Sequence, residues 1–320
     1  MTTSVCMTTY NGEKYIEEKL MSILHQTHRA EEVILCDDNS TDQTVAIIGK
    51  FVEDHSLQDS WKLYQNEENK GYPGNFYYAM SLCSKDVVFL ADQDDIWHVK
   101  KLERMCRALA DRPAAKAICC KFGLIDAEGE AIFALMAPSH SRETGKLREV
   151  EVGEVFYKCE WPGMVVAYRN EWYQQWQQHS GRHDSIIPYE YNSNIPHDFL
   201  VCARAAEEKG FWQVDEVLAY HRRHDSNAGG EEHRIRRLLN KSRKLTEIKN
   251  YLQILEAFQQ EKVLQTEAGR AALDEKYCTM KDRYEALNSG KVSQVLRNAG
   301  RHRGNVRLAT LLCDLVIVRE

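Results

Sequence analysis

An apolar run that ends in a cluster of carboxylates is the feature that most constrains this chain. The run at 87–91, Val-Val-Phe-Leu-Ala, leads directly into Asp92-Gln93-Asp94-Asp95. Such a run is typical of a buried strand. Three acids within four positions repel one another, and holding them at the mouth of a strand costs stability unless a cation lies between them. The pattern therefore predicts a cation site at the end of this strand.

A second strand that ends in acids lies upstream. Residues 33–36 are apolar and lead into Asp37 and Asp38, while an earlier strand at 4–8 ends in Thr8. Residues with helical apolar spacing separate these strands, which predicts a mostly parallel α/β sheet with helices on both faces. Ligands of such sheets bind beyond the carboxyl ends of the strands. We therefore expect Thr8 and the acids of both strands to surround one pocket that takes a metal and a diphosphate-bearing substrate.

The local signals predict several element boundaries. Ser40 or Thr41 is expected to cap a helix that runs to about Asp54, and a third helix is expected to begin near Asn75. Asp95 reads as an N-cap of a helix that starts at Trp97. Strands are expected at 62–65, 117–120, 165–168 and 214–221. The pattern predicts that residues 232–288 are mostly helical and that 306–318 form a final amphipathic helix or strand.

The charge distribution divides the chain. Its net charge of −6 argues against general nucleic-acid binding. Residues 231–320 nevertheless contain 18 Lys and Arg against 12 Asp and Glu. We expect a domain at 1–230, whose second half at 111–230 is less regular than 1–110 and builds the acceptor side of the pocket, followed by a basic helical region at 231–320. The excess of positive charge suggests that this region meets something anionic, such as the inner face of a membrane.

The cysteine pattern and the hydropathy indicate a compartment. The ten cysteines are scattered, without a C-x-x-C pair, so the sequence indicates neither a zinc site nor a disulfide framework. No signal peptide is visible, and no apolar run approaches the ~18–20 residues of a membrane span. These features predict a cytoplasmic protein in a reducing environment, with peripheral membrane contact as an open alternative.

Several of these segments resemble a known family. Residues 4–12 read Ser-Val-Cys-Met-Thr-Thr-Tyr-Asn-Gly, and residues 32–44 read Glu-Val-Ile-Leu-Cys-Asp-Asp-Asn-Ser-Thr-Asp-Gln-Thr. Both are similar to the inverting family-two nucleotide-sugar glycosyltransferases. The segment 91–97, Ala-Asp-Gln-Asp-Asp-Ile-Trp, resembles the "DXD" metal motif as found in rhamnosyltransferase-like members. The resemblance covers about residues 3–110 and continues more thinly to His221–Asn227.

The resemblance implies a GT-A fold with a helical C-terminal extension, and a metal-dependent, inverting transfer from a nucleotide-diphospho-sugar. The donor is expected to be dTDP-L-rhamnose or a UDP-hexose, and the acceptor a hydroxyl of a glycan or lipid-linked intermediate in bacterial surface polysaccharide synthesis. By resemblance, Asp198 is the catalytic base, and Asp94 and His224 hold Mg²⁺ or Mn²⁺. The implied donor-binding residues are Thr8, Tyr10, Asp38, Gly71, Asn75, Asp92 and Gln93.

Simpler interpretations compete with these assignments. Asp37 could cap a helix as readily as line a site, Asp198 could merely start one, and His224 could be a surface residue. Arg222, Arg223 or Lys70 could serve as cationic clamps on a diphosphate. At the level of function, the alternatives are a phosphohydrolase of the haloacid dehalogenase type and a non-catalytic sugar-nucleotide-binding protein on the same fold. Against the former, Asp-x-Asp lies on the fourth strand rather than the first.

Overall fold

A computed structural model describes residues 1–132, 144–158, 161–179, 195–224 and 240–318. By its contacts the chain divides into two compact units. One contains Met1–Glu151 and Glu160–Arg223, and the other contains Val152–Cys159 and His224–Glu320. The predicted boundary at 230/231 lies outside the described residues, so the division at that point stays a prediction.

Alternating strands and helices build the first part of the larger unit. In chain order they are β1 (Thr3–Thr9), α1 (Ile16–Leu24), β2 (Glu32–Asp37), α2 (Thr44–Asp54), β3 (Trp61–Gln65), α3 (Tyr72–Leu82) and β4 (Val87–Ala91). The strands lie in the order β3-β2-β1-β4, and every neighbouring pair is parallel. All five residues of β4 are buried, as the uninterrupted apolar run predicts.

The second part of the chain continues the same sheet less regularly. Its elements are β5 (Ile96–Trp97), α4 (Lys101–Ala110), β6 (Ala117–Ile125), β7 (Leu147–Glu149), α5 (Val152–Lys158), a 3₁₀ turn (Gly163–Val165), β8 (Val166–Arg169), α6 (Asn170–His179), α7 (His197–Glu207) and β9 (Phe211–Arg222). The sheet runs on from β4 through β8, β6 and β9 to β5, and β7 also pairs with β9. Of these pairings β6–β9 is parallel, and the others are antiparallel.

The smaller unit is helical in its described residues. It contains α5 together with α8 (Lys241–Gln260), α9 (Glu267–Asn288), α10 (Val292–Arg301) and α11 (Leu308–Ile317). Within it, the rings of Phe156 and Phe258 meet edge to face at 5.9 Å between centroids. Thr266 caps α9, because its side chain accepts a hydrogen bond from the Gly269 N–H at 2.9 Å. The described residues of 241–288 are mostly helical, as predicted, with a non-helical connection at 261–266. The final segment, predicted as a helix or strand at 306–318, forms a helix at Leu308–Ile317.

Three predicted helix starts differ from the structure. The third helix begins at Tyr72 rather than near Asn75, because Gly71 adopts a positive φ of 76° and Pro73 fits the first helical turn. Helix α2 begins at Thr44, since Ser40 hydrogen-bonds to Asp37 instead of capping the helix. No helix starts at Trp97, which pairs with Ala219 of β9, and the next helix begins at Lys101.

Among the described residues, no helix combines the length and apolarity that crossing a bilayer requires.

Candidate functional site

The carboxyl ends of three parallel strands meet at one edge of the sheet. Strand β1 lies between β2 and β4, with Thr9 opposite Asp37 and Met7 opposite Ala91. Residues that follow these positions therefore emerge side by side. The predicted convergence of the strand-end residues is confirmed at this edge.

A cavity of about 510 Å³ opens there. Its lining comprises Thr8, Thr9, Tyr10, Asp38, Asn69, Gly71, Tyr72, Asn75, Phe76, Asp92, Gln93, Asp94, Asp95 and His221. Every donor-binding residue predicted from the sequence is in this set, and so is the predicted metal ligand Asp94. A cavity of this size is in the range of sites that hold small molecules.

Asp38 is held by a network that the sequence does not reveal. Its carboxylate accepts hydrogen bonds from Asn66 Nδ2 at 2.8 Å, from the Lys70 N–H at 2.8 Å and from the Gly71 N–H at 2.9 Å. Asn66 Nδ2 also donates to Asn75 Oδ1 at 2.9 Å. A carboxylate offers about four acceptor positions. The network thus fixes the Asp38 carboxylate at the cavity wall and leaves capacity for one further donor.

The neighbouring Asp37 has a structural role. Its carboxylate accepts from Thr9 Oγ1 at 2.8 Å and from the Ser40 N–H at 2.8 Å, and Asp37 is fully buried. It therefore ties the ends of β1 and β2 to the following turn, while the next residue, Asp38, lines the cavity. Asp37 is not among the residues that line the cavity, and it stabilises a turn rather than capping α2, which begins only at Thr44.

Tyr10 and Gln93 join two strand ends across the cavity rim. The Tyr10 N–H donates to Gln93 Oε1 at 2.9 Å, and Gln93 Nε2 donates to the Tyr10 carbonyl at 3.0 Å. A Cβ added to Gly12 would lie 2.3 Å from Gln93 Oε1, so this reciprocal pair needs the glycine. The amide of Gln93 thus positions the acidic segment that follows β4.

The acids after β4 concentrate negative charge. Burial, followed by the charges of Asp95 and Asp94, raises the pKa of Asp92 to about 8. Lys19 lies buried behind the cluster, with Nζ 4.1 Å from the Trp97 ring centroid, and burial lowers its pKa to about 8. Its position could have been predicted, because Lys19 occupies the same helical stripe as the buried Ile16, Leu20 and Ile23.

Asp95 joins this cluster to the last strand of the sheet, and its predicted role as an N-cap is wrong. Its Oδ1 accepts from His221 Nδ1 and from the Arg222 N–H, both at 3.0 Å. Asp95 is 1% exposed, and its Oδ2 has no hydrogen-bond partner within the described parts of the chain. The pairing of β5 with β9 brings these residues together, which no local signal around Asp95 could have indicated.

Arg222 is buried beside the acids rather than aimed at a ligand. Its Nε donates to the Asp94 carbonyl at 3.0 Å, its Nη1 donates to the Ala127 carbonyl at 3.0 Å, and its Nη2 pairs with Glu18. Alternate residues of a strand point to opposite faces. The guanidinium therefore braces the backbone of the acidic segment, and His221, its neighbour on β9, lines the cavity.

The observations fit a divalent cation. In the described carboxylate cluster the pKa of Asp92 is raised, and Asp95 Oδ2 is buried without a hydrogen-bond partner. The negative charge of the cluster is therefore incompletely compensated. Over the ranges that the structure describes, no three His, Cys, Asp or Glu side chains converge closely enough to hold a metal by themselves. Hard divalent cations need only one or two protein carboxylates when a substrate phosphate supplies further ligands. Asp94 lines the cavity and is a residue that could hold such a cation.

Asp198 lies in the first turn of α7. Its Oδ1 accepts from the Phe199 N–H at 2.7 Å, and burial raises its pKa to about 6. Its charge acts on Asp92 and Tyr72, which both line the cavity. The helix start expected at Asp198 is confirmed. Asp38 and Asp94 line the cavity, whereas Asp198 is not among the lining residues and acts electrostatically on two of them.

The preceding residue, His197, anchors the start of α7. Its ring stacks on Phe76, a cavity residue, at 3.7 Å between centroids. A Cβ on Gly163 would lie 3.0 Å from His197 Nε2, so the glycine permits this close approach. Burial lowers the pKa of His197 to about 3, and the ring is neutral. A buried aromatic stack thus sets the position of Asp198.

His224, the other predicted metal ligand, belongs to the smaller unit and is the last described residue before 225–239. It is not among the residues that line the cavity. Asn227, which completes the motif that suggested His224, lies outside the described residues. The role of His224 therefore stays a prediction. His221, which does line the cavity, was not predicted as a site residue from the sequence.

Comparison with known sequences supports the family resemblance. Residues 4–154 match the sequence model of glycosyl transferase family 2. The chain is 35% identical over 100 residues to the UDP-Glc:alpha-D-GlcNAc-diphosphoundecaprenol beta-1,3-glucosyltransferase WfgD of Escherichia coli, a match over 31% of this chain and 38% of that relative. It is 22% identical over 229 residues to the dTDP-rhamnosyl transferase RfbG of Shigella flexneri, covering 70% of this chain and 73% of that protein. For several curated relatives the chain spans only 28–38% of their length.

Solved structures show the same fold. S. aureus TarS 1-349 in complex with UDP superposes with a TM-score of 0.54 at 20% identity, over 91% of this chain and 92% of the other. The mannosyltransferase PcManGT from Pyrobaculum calidifontis, in complex with GDP-Man and Mn²⁺, gives a TM-score of 0.51 at 18% identity, over 99% and 85%. The GT-A fold predicted from the sequence is thereby confirmed.

Proposed function

We propose that the chain transfers a sugar from a nucleotide-diphospho-sugar to a hydroxyl of a glycan or lipid-linked acceptor, in the synthesis of a surface polysaccharide. The match of residues 4–154 to the sequence model of glycosyl transferase family 2 supports this proposal. One observation carries the proposal. A single cavity at the carboxyl edge of the sheet is lined by Asp38, Asp92 and Asp94, with Asp198 in electrostatic reach. The transfer inverts the anomeric carbon, because Asp198 acts as a base and not as a nucleophile.

Asp38 recognises the base of the donor. Three protein donors occupy its carboxylate and leave one acceptor position, which suits the N–H of a uracil or thymine ring. Thr8 and Asn75 line the same part of the wall. The donor is therefore dTDP-L-rhamnose or a UDP-hexose, consistent with the activities for which RfbG and WfgD are named.

Asp94 holds Mg²⁺ or Mn²⁺ at the diphosphate, and the ligand role of His224 stays what the family resemblance implies. When bound, such a cation neutralises the negative charge that grows on the leaving diphosphate. Asp92 is within electrostatic reach of Asp94, and the buried Lys19 offsets part of the negative charge of these acids. Asp198 removes the proton of the acceptor hydroxyl. Its position at the N-terminus of α7 and its bond from the Phe199 N–H hold the carboxylate in place.

A thermal-shift panel tests the donor class. With Mn²⁺ present, we expect UDP or dTDP sugars to raise the melting temperature, because a ligand at 100 times its Kd adds about 2.7 kcal/mol to the free energy of unfolding. ADP-glucose and GDP-mannose serve as controls for the base. If the panel produces no shift with any pyrimidine nucleotide, at any Mn²⁺ or Mg²⁺ concentration, the proposal is wrong.

Hydrolysis separates the enzyme from the two alternatives weighed from the sequence. We expect slow release of free nucleoside diphosphate from the preferred donor when acceptor is absent. A phosphohydrolase would instead release inorganic phosphate, and a binding protein would release nothing.

The basic C-terminal region adds a proposed contact with an anionic membrane. On α11 the exposed Leu308, Leu312 and Val316 recur every four residues, so they lie on one face. The exposed bases that precede this helix in sequence are Lys291, Arg297, Arg301, Arg303 and Arg307. The acid within α11, Asp314, is buried and bonded twice by Arg283 at 2.8 Å. A second copy would bring like charges together, whereas anionic headgroups complement them.

Vesicle flotation tests this contact. We expect the chain to float with vesicles containing phosphatidylglycerol and not with phosphatidylcholine alone, and salt should weaken the binding. The Leu308→Ser/Leu312→Ser variant should bind at least tenfold more weakly, because full burial of a leucine is worth roughly 1.5–3 kcal/mol. Ala309→Ser, at an exposed position of the same helix, is the matched control. Equal flotation with both vesicle types, or for both variants, would contradict the contact.

A further inference from the structure

The lysine that begins α4 is completely buried in the larger unit. Lys101 is 0% exposed, and its Nζ lies 3.7 Å from the centroid of the Trp97 ring. An ammonium group loses its hydration on burial, which costs free energy unless protein groups replace the water. Burial accordingly lowers the pKa of Lys101 to about 7. A methionine would occupy similar space without this cost, so the contact that the ammonium makes is informative.

The ammonium of Lys101 holds a turn that is distant in sequence. Its Nζ donates a hydrogen bond to the carbonyl of Met164. Met164 is the middle residue of the buried 3₁₀ turn at Gly163–Val165, which leads directly into β8. The lysine therefore ties the start of α4 to the backbone of this turn.

The same turn contacts the two residues that begin α7. A Cβ on Gly163 would lie 3.0 Å from Nε2 of His197, so the turn backbone and the imidazole are closely packed. Burial raises the pKa of Asp198, and hydrogen bonds from the backbone N–H groups of Phe199 and Gly163 oppose that shift. The position of Gly163 therefore affects both where the Asp198 carboxylate lies and how readily it ionises.

We propose that Lys101 is a positioning residue for the base Asp198, and that it acts through the Met164 carbonyl and the Gly163 N–H. The inference rests on the proposed function and extends it to a residue that does not line the cavity. Because the turn is only three residues long, fixing its central carbonyl restricts the orientation of the Gly163 N–H. The titratable groups that act on Lys101 are Cys120, Lys19, Asp95 and Asp92, and Asp198 acts on Tyr72 and Asp92.

Lys101→Met tests the proposal in the full chain, with Lys100→Met, at the exposed preceding position, as the matched control. The assay follows release of UDP or dTDP from the nucleotide sugar that gives the largest thermal shift, with Mn²⁺ present and water as the acceptor. We expect Lys101→Met to lower the rate roughly 10–10²-fold, because a small displacement of a catalytic group can cost that much. The thermal shift with the nucleotide sugar should be unchanged.

The pH profile gives a readout that a purely structural role would not move. The Asp198 carboxylate ionises less readily when it loses an N–H donor. The step in the rate should therefore move from about 6 to higher pH in Lys101→Met and stay at about 6 in Lys100→Met. A step that stays at about 6 or moves to lower pH in Lys101→Met would overturn the proposal.

A double-mutant cycle shows whether Lys101 acts through Asp198. In the Asp198→Asn background, Lys101→Met should change the rate less than twofold, because coupled residues are not additive. A full, additive loss in that background would also overturn the proposal. If Lys101→Met does not fold, Lys101→Gln, which keeps a shorter polar side chain, enters the same cycle with the same expected outcome. If Asp198→Asn itself leaves the rate unaltered, it is the proposed function that fails, and the role of Lys101 fails with it.

Discussion

We expect Asp198→Asn to transfer sugar roughly 10²–10⁴-fold more slowly than the wild type, the usual cost of removing a general base. Asparagine keeps an oxygen to accept the Phe199 N–H, so the start of α7 should be preserved. Donor binding, measured as the thermal shift with nucleotide sugar and Mn²⁺, should stay within twofold. Initial rates with a saturating acceptor give the comparison.

The pH profile identifies Asp198 as the titrating group. A base acts only when ionised, and burial raises the pKa of Asp198 to about 6. The wild-type rate should therefore rise with pH through about 6 and level off above it, and this step should disappear in Asp198→Asn. Asp111→Asn, at the exposed end of α4, should leave both rate and profile unchanged. Unaltered turnover in Asp198→Asn would reject the assignment.

Asp94→Ala should lower the rate of transfer by about 10²–10³-fold. Removing one group that stabilises transition-state charge typically costs ~2.7–4 kcal/mol, and each 1.36 kcal/mol is a factor of ten. The rise in melting temperature on adding Mn²⁺ with nucleoside diphosphate should be lost as well. The rate of transfer and the melting temperature are each measured over a Mn²⁺ titration.

The stability of the variant separates this effect from misfolding. Removal of one acid relieves repulsion within the cluster, so the melting temperature without a cation should not fall. Asp59→Ala, an exposed acid remote from the cluster in sequence, is the control. A variant that retains full Mn²⁺-dependent activity would exclude Asp94 as a ligand.

Short-range patterns predicted the first half of the fold well. The strand at 87–91 agrees with the structure residue for residue, because an apolar run bounded by polar residues has few alternatives to a buried strand. Parallel strands joined by helices end at a common edge, so connectivity alone predicted that Asp38 and Asp92 lie together, as they do in the cavity lining. The donor-binding residues predicted from the sequence all line the cavity.

Contacts between distant residues escaped prediction. Asp95 resembles an N-cap locally, yet its partners His221 and Arg222 lie more than 120 positions away on β9. Arg222 looked suited to grip a diphosphate, but strand alternation turns it toward backbone carbonyls. Asp95 could have capped a helix, and Arg222 could have bound a diphosphate. Contacts with neighbouring segments of the fold, which the local sequence does not show, decided the role of each side chain.

From its residues alone the chain determined a parallel sheet with acids at one edge, because side-chain polarity and chain connectivity act locally and leave little choice. The tertiary structure decided which of those acids support the fold and which face the cavity. Asp37 and Asp38 are adjacent and chemically identical, but one is satisfied by a turn and the other by a loop that leaves an acceptor position open. That distinction arises from hydrogen-bond partners brought together by folding, which no pattern along the chain encodes.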